Sequence, residues 1–124
     1  MSSLDQLLQT GDWKGEKHVP VIHAPETIKS DELTEIKISI GDAIKHPNTL
    51  EHHIAWLKLF YLPEGGKFPV ELASFECRAH GEADAYDEPN TSTNVKLKKS
   101  GTFYALSYCN IHGLWQSSKA IVVE

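Results

Sequence analysis

Near its C-terminal end the chain reads Cys109-Asn110-Ile111-His112-Gly113. A thiol and an imidazole separated by two residues in a tight loop can share one metal ion, and Gly113 marks the turn. Alone the motif is weak, so the other histidines decide its weight. His46-Pro47-Asn48-Thr49-Leu50-Glu51-His52-His53 supplies more imidazoles, with His46 in a loop and His52 and His53 opening a strand. Neighbouring strand residues face opposite ways, so at most one of that pair reaches a given site. Glu16-Lys17-His18 adds an imidazole beside two charged groups. Together these segments offer up to four imidazoles, one thiolate and a nearby carboxylate.

That donor set narrows the chemistry. Thiolate with imidazole suits iron, copper or zinc, and excludes calcium and magnesium. The chain has 2 cysteines, too few for a four-cysteine zinc or iron site, and Cys109 lacks the second cysteine of a haem-attachment motif. A structural zinc site stops at four ligands, whereas five donors suit a metal that takes five or six positions, and an open position makes it reactive. His23, His53 and His80 are left outside the site. Cys77, within Ser74-Phe75-Glu76-Cys77, reads as a small core residue. Lys17 draws notice only because it precedes His18.

The elements that must position these residues are short strands. Ile36, Ile38 and Ile40 alternate with Lys37 and Ser39, which predicts a half-buried strand over Leu33–Ile40. Further strands are expected over Ile54–Leu62, Val70–Ala79, Val95–Lys99, Thr102–Cys109 and Ala120–Val123, with His18–Ala24 extended at an edge because of Pro20 and Pro25. Pro63-Glu64-Gly65-Gly66 reads as a turn, Ser100-Gly101 as a hairpin turn, and Gly41–Thr49 and Gly81–Ser92 as loops. Ser3 and Gln6 have capping-box spacing, with Leu4, Leu7 and Leu8 on one face, so a short helical turn is expected at the N-terminus. Six or seven strands at this spacing point to an all-β, immunoglobulin-like sandwich.

Composition bounds the rest. The 124 residues, 40% hydrophobic and 23% charged, suit one globular domain over residues 1–124 without repeats or linkers. A net charge of −5 argues against nucleic acid or an anionic membrane as partner. No apolar run approaches the ~18 residues of a membrane span. The first ten residues, MSSLDQLLQT, lack the pattern of a secretory signal, so a cytoplasmic location is expected.

Glu16-Lys17-His18-Val19-Pro20, His46-Pro47-Asn48-Thr49 with Glu51-His52-His53, and Ser107-Tyr108-Cys109-Asn110-Ile111-His112-Gly113 together resemble superoxide reductase. The match is to the one-iron, neelaredoxin type, related to the iron domain of desulfoferrodoxin. Three separated motifs occur in one order, from Gly11-Asp12-Trp13 to the terminal strand. The resemblance implies a seven-stranded immunoglobulin-like β-sandwich holding one non-haem iron per subunit. It implies that His18, His46, His52 and His112 are equatorial ligands, His112 through Nδ1 and the others through Nε2, with Cys109 axial. It also implies that Glu16 ligates the oxidised iron and that Lys17 supplies positive charge to superoxide, which is reduced to hydrogen peroxide without release of oxygen. The amides of Ile111 and His112 would donate to the Cys109 sulfur. A rubredoxin-like protein would return the electron, and a homotetramer would be the assembly. Lys45 stands where proline is more usual in the family, and the loop Glu82–Thr93 departs from its usual form; neither change touches a proposed ligand.

Two other readings remain at this level. A blue-copper electron carrier is also a β-sandwich with a Cys…His loop, but it uses two histidines and a weak axial ligand. Met1 is the only methionine, which leaves Gln116 as the axial candidate and His18 and His46 in excess. A structural zinc or interaction module would leave Glu16 and Lys17 without a role.

Overall fold

The computed structural model describes residues 2–124. A short helix, α1 (Leu4–Leu7), opens the chain, and the Ser3 N–H donates to Gln6 Oε1 at 3.2 Å, the reciprocal bond expected of that spacing. Leu4 and Leu7 face solvent rather than a core. Eight strands follow: β1 (Val21–His23), β2 (Thr27–Ile28), β3 (Thr34–Ser39), β4 (Ile54–Pro63), β5 (Val70–Glu76), β6 (Asn90–Val95), β7 (Gly101–Cys109) and β8 (Gly113–Val123). They form a three-stranded sheet, β1-β3-β6, and a five-stranded sheet, β2-β8-β7-β4-β5. The two-residue β2, which runs parallel to β8, accounts for the eighth strand.

Period-two alternation explains how the sheets face each other. Ile36 and Ile38 of β3 point inward, as do Leu59 and Tyr61 of β4, Phe103 and Ala105 of β7, and Ile121 of β8. Burying such side chains is the main stabilising term, at ~1.5–3 kcal/mol each. A second, smaller cluster of Ile40, Ile54, Leu57 and Cys109 lies at one end of the sandwich. There β4 carries one extra residue between Ile54 and Trp56 relative to β7. This bulge lets Ile54 and Leu57, an odd number of residues apart, both face inward beside Cys109.

The structure corrects two strands: the terminal strand begins at Gly113 rather than Ala120, and the segment before β7 is the other. Val95–Lys99 does not pair with Thr102–Cys109 across a Ser100-Gly101 hairpin turn. The strand is Asn90–Val95, in the other sheet, antiparallel to β3. Its sequence, Asn-Thr-Ser-Thr-Asn-Val, looks like a polar loop, yet Thr91 and Val95 alternate inward and are buried. Threonine is β-branched and fits a pleated sheet despite its hydroxyl. Gly101 serves the approach of β7 to β4: a Cβ there would lie 2.2 Å from the Leu62 carbonyl oxygen.

Candidate metal centre

Three chain segments meet beside the smaller apolar cluster. Cys109 is the last residue of β7 and is fully buried. It pairs with Gly113 across the loop Asn110-Ile111-His112, and Gly113 takes φ +80°, a left-handed conformation that closes such short hairpins with little steric cost to glycine. His46 and His52 lie on the connection between β3 and β4. His52 is held by a local turn in which its N–H donates to Thr49 Oγ1 at 3.0 Å and its carbonyl accepts from the Thr49 N–H at 2.9 Å. His18 precedes β1, and its carbonyl accepts from Ser107 Oγ of β7 at 3.1 Å.

The donor atoms converge. One ligating atom each from His18, His46, His52 and Cys109 lie within 4.8 Å of one another. His112 Nδ1 stands 3.1 Å from His18 Nε2, 3.2 Å from His52 Nε2 and 3.8 Å from Cys109 Sγ. Cys109 Sγ is 3.5 Å from His46 Nε2. Around one ion, with metal–nitrogen near ~2.1 Å and metal–sulfur near ~2.3 Å, adjacent donors fall about 3 Å apart and opposite ones about 4 Å. The four grouped side chains, with His112 beside them, lie close enough to share a single metal ion. His112 presents Nδ1 and the other three histidines present Nε2.

At His46 and His18 a hydrogen bond on the far side of the ring fixes that choice. His46 Nδ1–H donates to the Pro47 carbonyl at 2.7 Å, leaving the Nε2 lone pair for a metal. Burial pushes His46 down to about 4, so the ring is neutral and ready to ligate near pH 7. His52 is lowered too, by partial burial and then by the neighbouring His112 and His18. Glu16 Oε1 accepts from His18 Nδ1 at 2.6 Å and from the His18 N–H at 3.0 Å. Burial alone would raise the Glu16 pKa, but the bonds from His18 together outweigh it and lower it. In this arrangement Glu16 orients a ligand and stands outside the four-residue donor group. The charge of Lys17 contributes in the same downward direction at His46 and His52. The His112 N–H donates to Cys109 Sγ at 3.4 Å; no such bond from Ile111 is present among the described residues.

Sequence reasoning missed two supports. The Trp115 indole stacks on His18, with centroids 4.8 Å apart and planes 11° from parallel. Its Nε1–H donates to the His112 carbonyl at 3.2 Å, and Gln9 Nε2 donates to the same oxygen at 2.7 Å. An inward position on β8, three residues beyond a ligand, was the available signal for Trp115; Gln9 had none. The remaining predicted exclusions lie apart. His23 contacts Ser39 and Asp42, while His53 stacks on His80. Cys77 is a buried free thiol, pushed up to about 11 chiefly by burial. Gln116 belongs to the β8 ladder, opposite Leu106. The four converging imidazoles exceed the two histidines of a blue-copper site and remove that reading.

The desulfoferrodoxin family profile matches residues 10–118. The chain is 51% identical to a Thermotoga maritima protein over 128 residues, 98% of each chain. It is 47% identical over 121 residues to the superoxide reductase of Pyrococcus furiosus, covering 92% of this chain and 95% of that protein. The superoxide reductase (neelaredoxin) of Archaeoglobus fulgidus in its reduced form superposes with a TM-score of 0.86 at 45% identity, covering 94% of this chain and 98% of that one.

Proposed function

This chain belongs to the desulfoferrodoxin family, and we infer that it is a superoxide reductase, reducing superoxide by one electron to hydrogen peroxide at one iron site. The observation that carries this reading is the convergence of His18, His46, His52 and Cys109 within 4.8 Å. His18, His46, His52, His112 and Cys109 would hold the metal. Bound iron supplies the electron, passing from ferrous to ferric, with the thiolate tuning its potential. One electron and two protons convert superoxide to hydrogen peroxide, so no oxygen is released.

The chain's own residues do the rest. Lys17 draws the superoxide anion across the last few ångströms, where a local charge outweighs a net charge of −5. Glu16 orients His18 and would be the further ligand for an oxidised iron, which would require its carboxylate to leave His18. Trp115 and Gln9 hold the Cys109–His112 loop. The reading also takes the chain as a single iron-binding domain, re-reduced by a rubredoxin-like protein and assembled as a homotetramer in the cytoplasm. No helix among the described residues is long and apolar enough to cross a membrane.

The test is product stoichiometry. Protein loaded with ferrous iron, without oxygen, receives a limiting pulse of superoxide, and peroxide and oxygen are counted. The expected yield is about one peroxide per superoxide with no oxygen. Half that peroxide accompanied by oxygen would mean dismutation. No product above the metal-free control would refute the catalytic reading.

A further inference from the structure

His80 lies outside the donor group, yet it touches the loop that bears two of its members. The connection between β3 and β4 carries His46 and His52 on irregular backbone, so something other than a strand must fix it. His80 is buried at 6% exposure. Its Nδ1 meets the Asn48 side-chain amide at 2.6 Å, two residues past His46. Its ring stacks on His53, next to His52, with centroids 3.5 Å apart and planes 6° from parallel. His80 Nε2 lies 2.8 Å from the Cys77 carbonyl, and the His80 N–H donates to Glu82 Oε1 at 2.8 Å. The ring is thus anchored just beyond β5 and grips the ligand loop by one edge and one face. His53 completes the grip: its Nδ1–H donates to the Thr49 carbonyl at 2.8 Å, and its N–H donates to Asn110 Oδ1 at 2.8 Å, in the Cys109–His112 loop.

We propose that His80 is a positioning residue for the metal centre, clamping the loop through Asn48 and His53 so that His46 and His52 stay at ligating distance. This rests on the reading of the site as a metal centre. An imidazole suits the place because one ring supplies two polar edges and a flat face. Phenylalanine keeps the face alone, and glutamine keeps the polar groups alone. The two halves of the grip act on different ligands: the Asn48 contact restrains His46, and the stack restrains His52. Groups that support ligands without touching the metal commonly change affinity ~10–100-fold.

The test uses Co2+ as the probe in the full chain. Parent, His80→Phe, His80→Gln and Asn48→Ala are compared by competition with a chelator and by the cobalt absorption spectrum, thiolate band included. Urea unfolding of the metal-free proteins runs in parallel. His80→Phe is expected to bind Co2+ ~10-fold more weakly and to shift its spectrum. Asn48→Ala, which leaves the stack in place, should show the same direction of change, and His80→Gln should recover part of the affinity. Parent-like affinity and spectrum in folded His80→Phe or in Asn48→Ala would overturn the clamp. If His80→Phe fails to fold, the Asn48→Ala result decides. A parent that binds no Co2+ would overturn the metal centre and the clamp together, whereas a parent that binds and variants that bind equally overturn the clamp alone.

Discussion

Trp115 makes a sharp test because it serves two ligands through two different interactions. Its indole stacks on His18, and its N–H bonds the His112 carbonyl. In Trp115→Phe the stack persists in smaller form and one hydrogen bond is lost. The His112 oxygen keeps Gln9 as a donor at 2.7 Å, so no buried acceptor is orphaned and the cost should be ~0.5–1.5 kcal/mol. In Trp115→Ala a side chain only 7% exposed disappears, and a large aromatic deletion of this kind costs ~3–5 kcal/mol. Metal affinity should fall with a different ratio. Phenylalanine should lose a few-fold, and alanine ~10–100-fold, because His18 loses its wall and His112 one of its two restraints. Urea unfolding of the metal-free proteins gives the stability terms, and Co2+ competition gives the affinities. If Trp115→Ala loses the expected stability but binds cobalt as tightly as the parent, Trp115 is a core residue and its placement against His18 does no work at the metal.

The other predictions are simpler. Cys109→Ser should keep the sandwich, since the larger core cluster does not include it, but should abolish the thiolate-to-iron absorption; survival of that band would refute its role as ligand. Lys17→Ala should retain iron while slowing the reaction with superoxide, and should flatten the dependence of the rate on ionic strength, as measured by pulse radiolysis. Cys77 carries a pH signature. Its folded value, about 11, lies above the ordinary thiol value of 9.0, so its contribution to stability is fully present below pH ~9 and is lost as pH rises through 11. The stability difference between parent and Cys77→Ala should shrink by ~2–3 kcal/mol over that window, read from urea midpoints at each pH. An unchanged difference would mean that the thiol is not held neutral by the fold.

The donor set was legible because its chemistry is local in sequence: thiol, imidazoles and turn residues sit in short motifs whose types limit the metal. The sandwich was legible where one face is apolar, as in Ile36-Lys37-Ile38. It failed at Asn90–Val95, where threonine conceals the inward face, and the lost strand moved a segment to the wrong sheet. His52 and His53 do part, as expected, but not by strand alternation, since both precede β4; Thr49 holds both and the stack on His80 takes His53. Long-range supports were invisible. Gln9 reaches His112 across a sequence separation of 103 residues, and no pattern near Gln9 announces the contact. His80 resembled any core histidine until its face and edge were seen against the ligand loop.

The placement of Glu16 bears on how the site changes state. To ligate, the carboxylate must leave two contacts on one oxygen, from the His18 N–H and from His18 Nδ1. Hydrogen bonds to a charged group are worth ~1.5–3 kcal/mol each, so departure costs roughly 3–6 kcal/mol. Oxidation would add one positive charge to a bound metal, and a unit charge at ~4 Å with an effective dielectric near 20 would attract a carboxylate by ~4 kcal/mol. The two terms are of the same size. A carboxylate balanced in this way would favour His18 beside a less charged metal and would be drawn away more strongly as that charge rises. On the proposed reading, the tether on His18 would hold Glu16 back from a reduced metal and leave a position for the small anion.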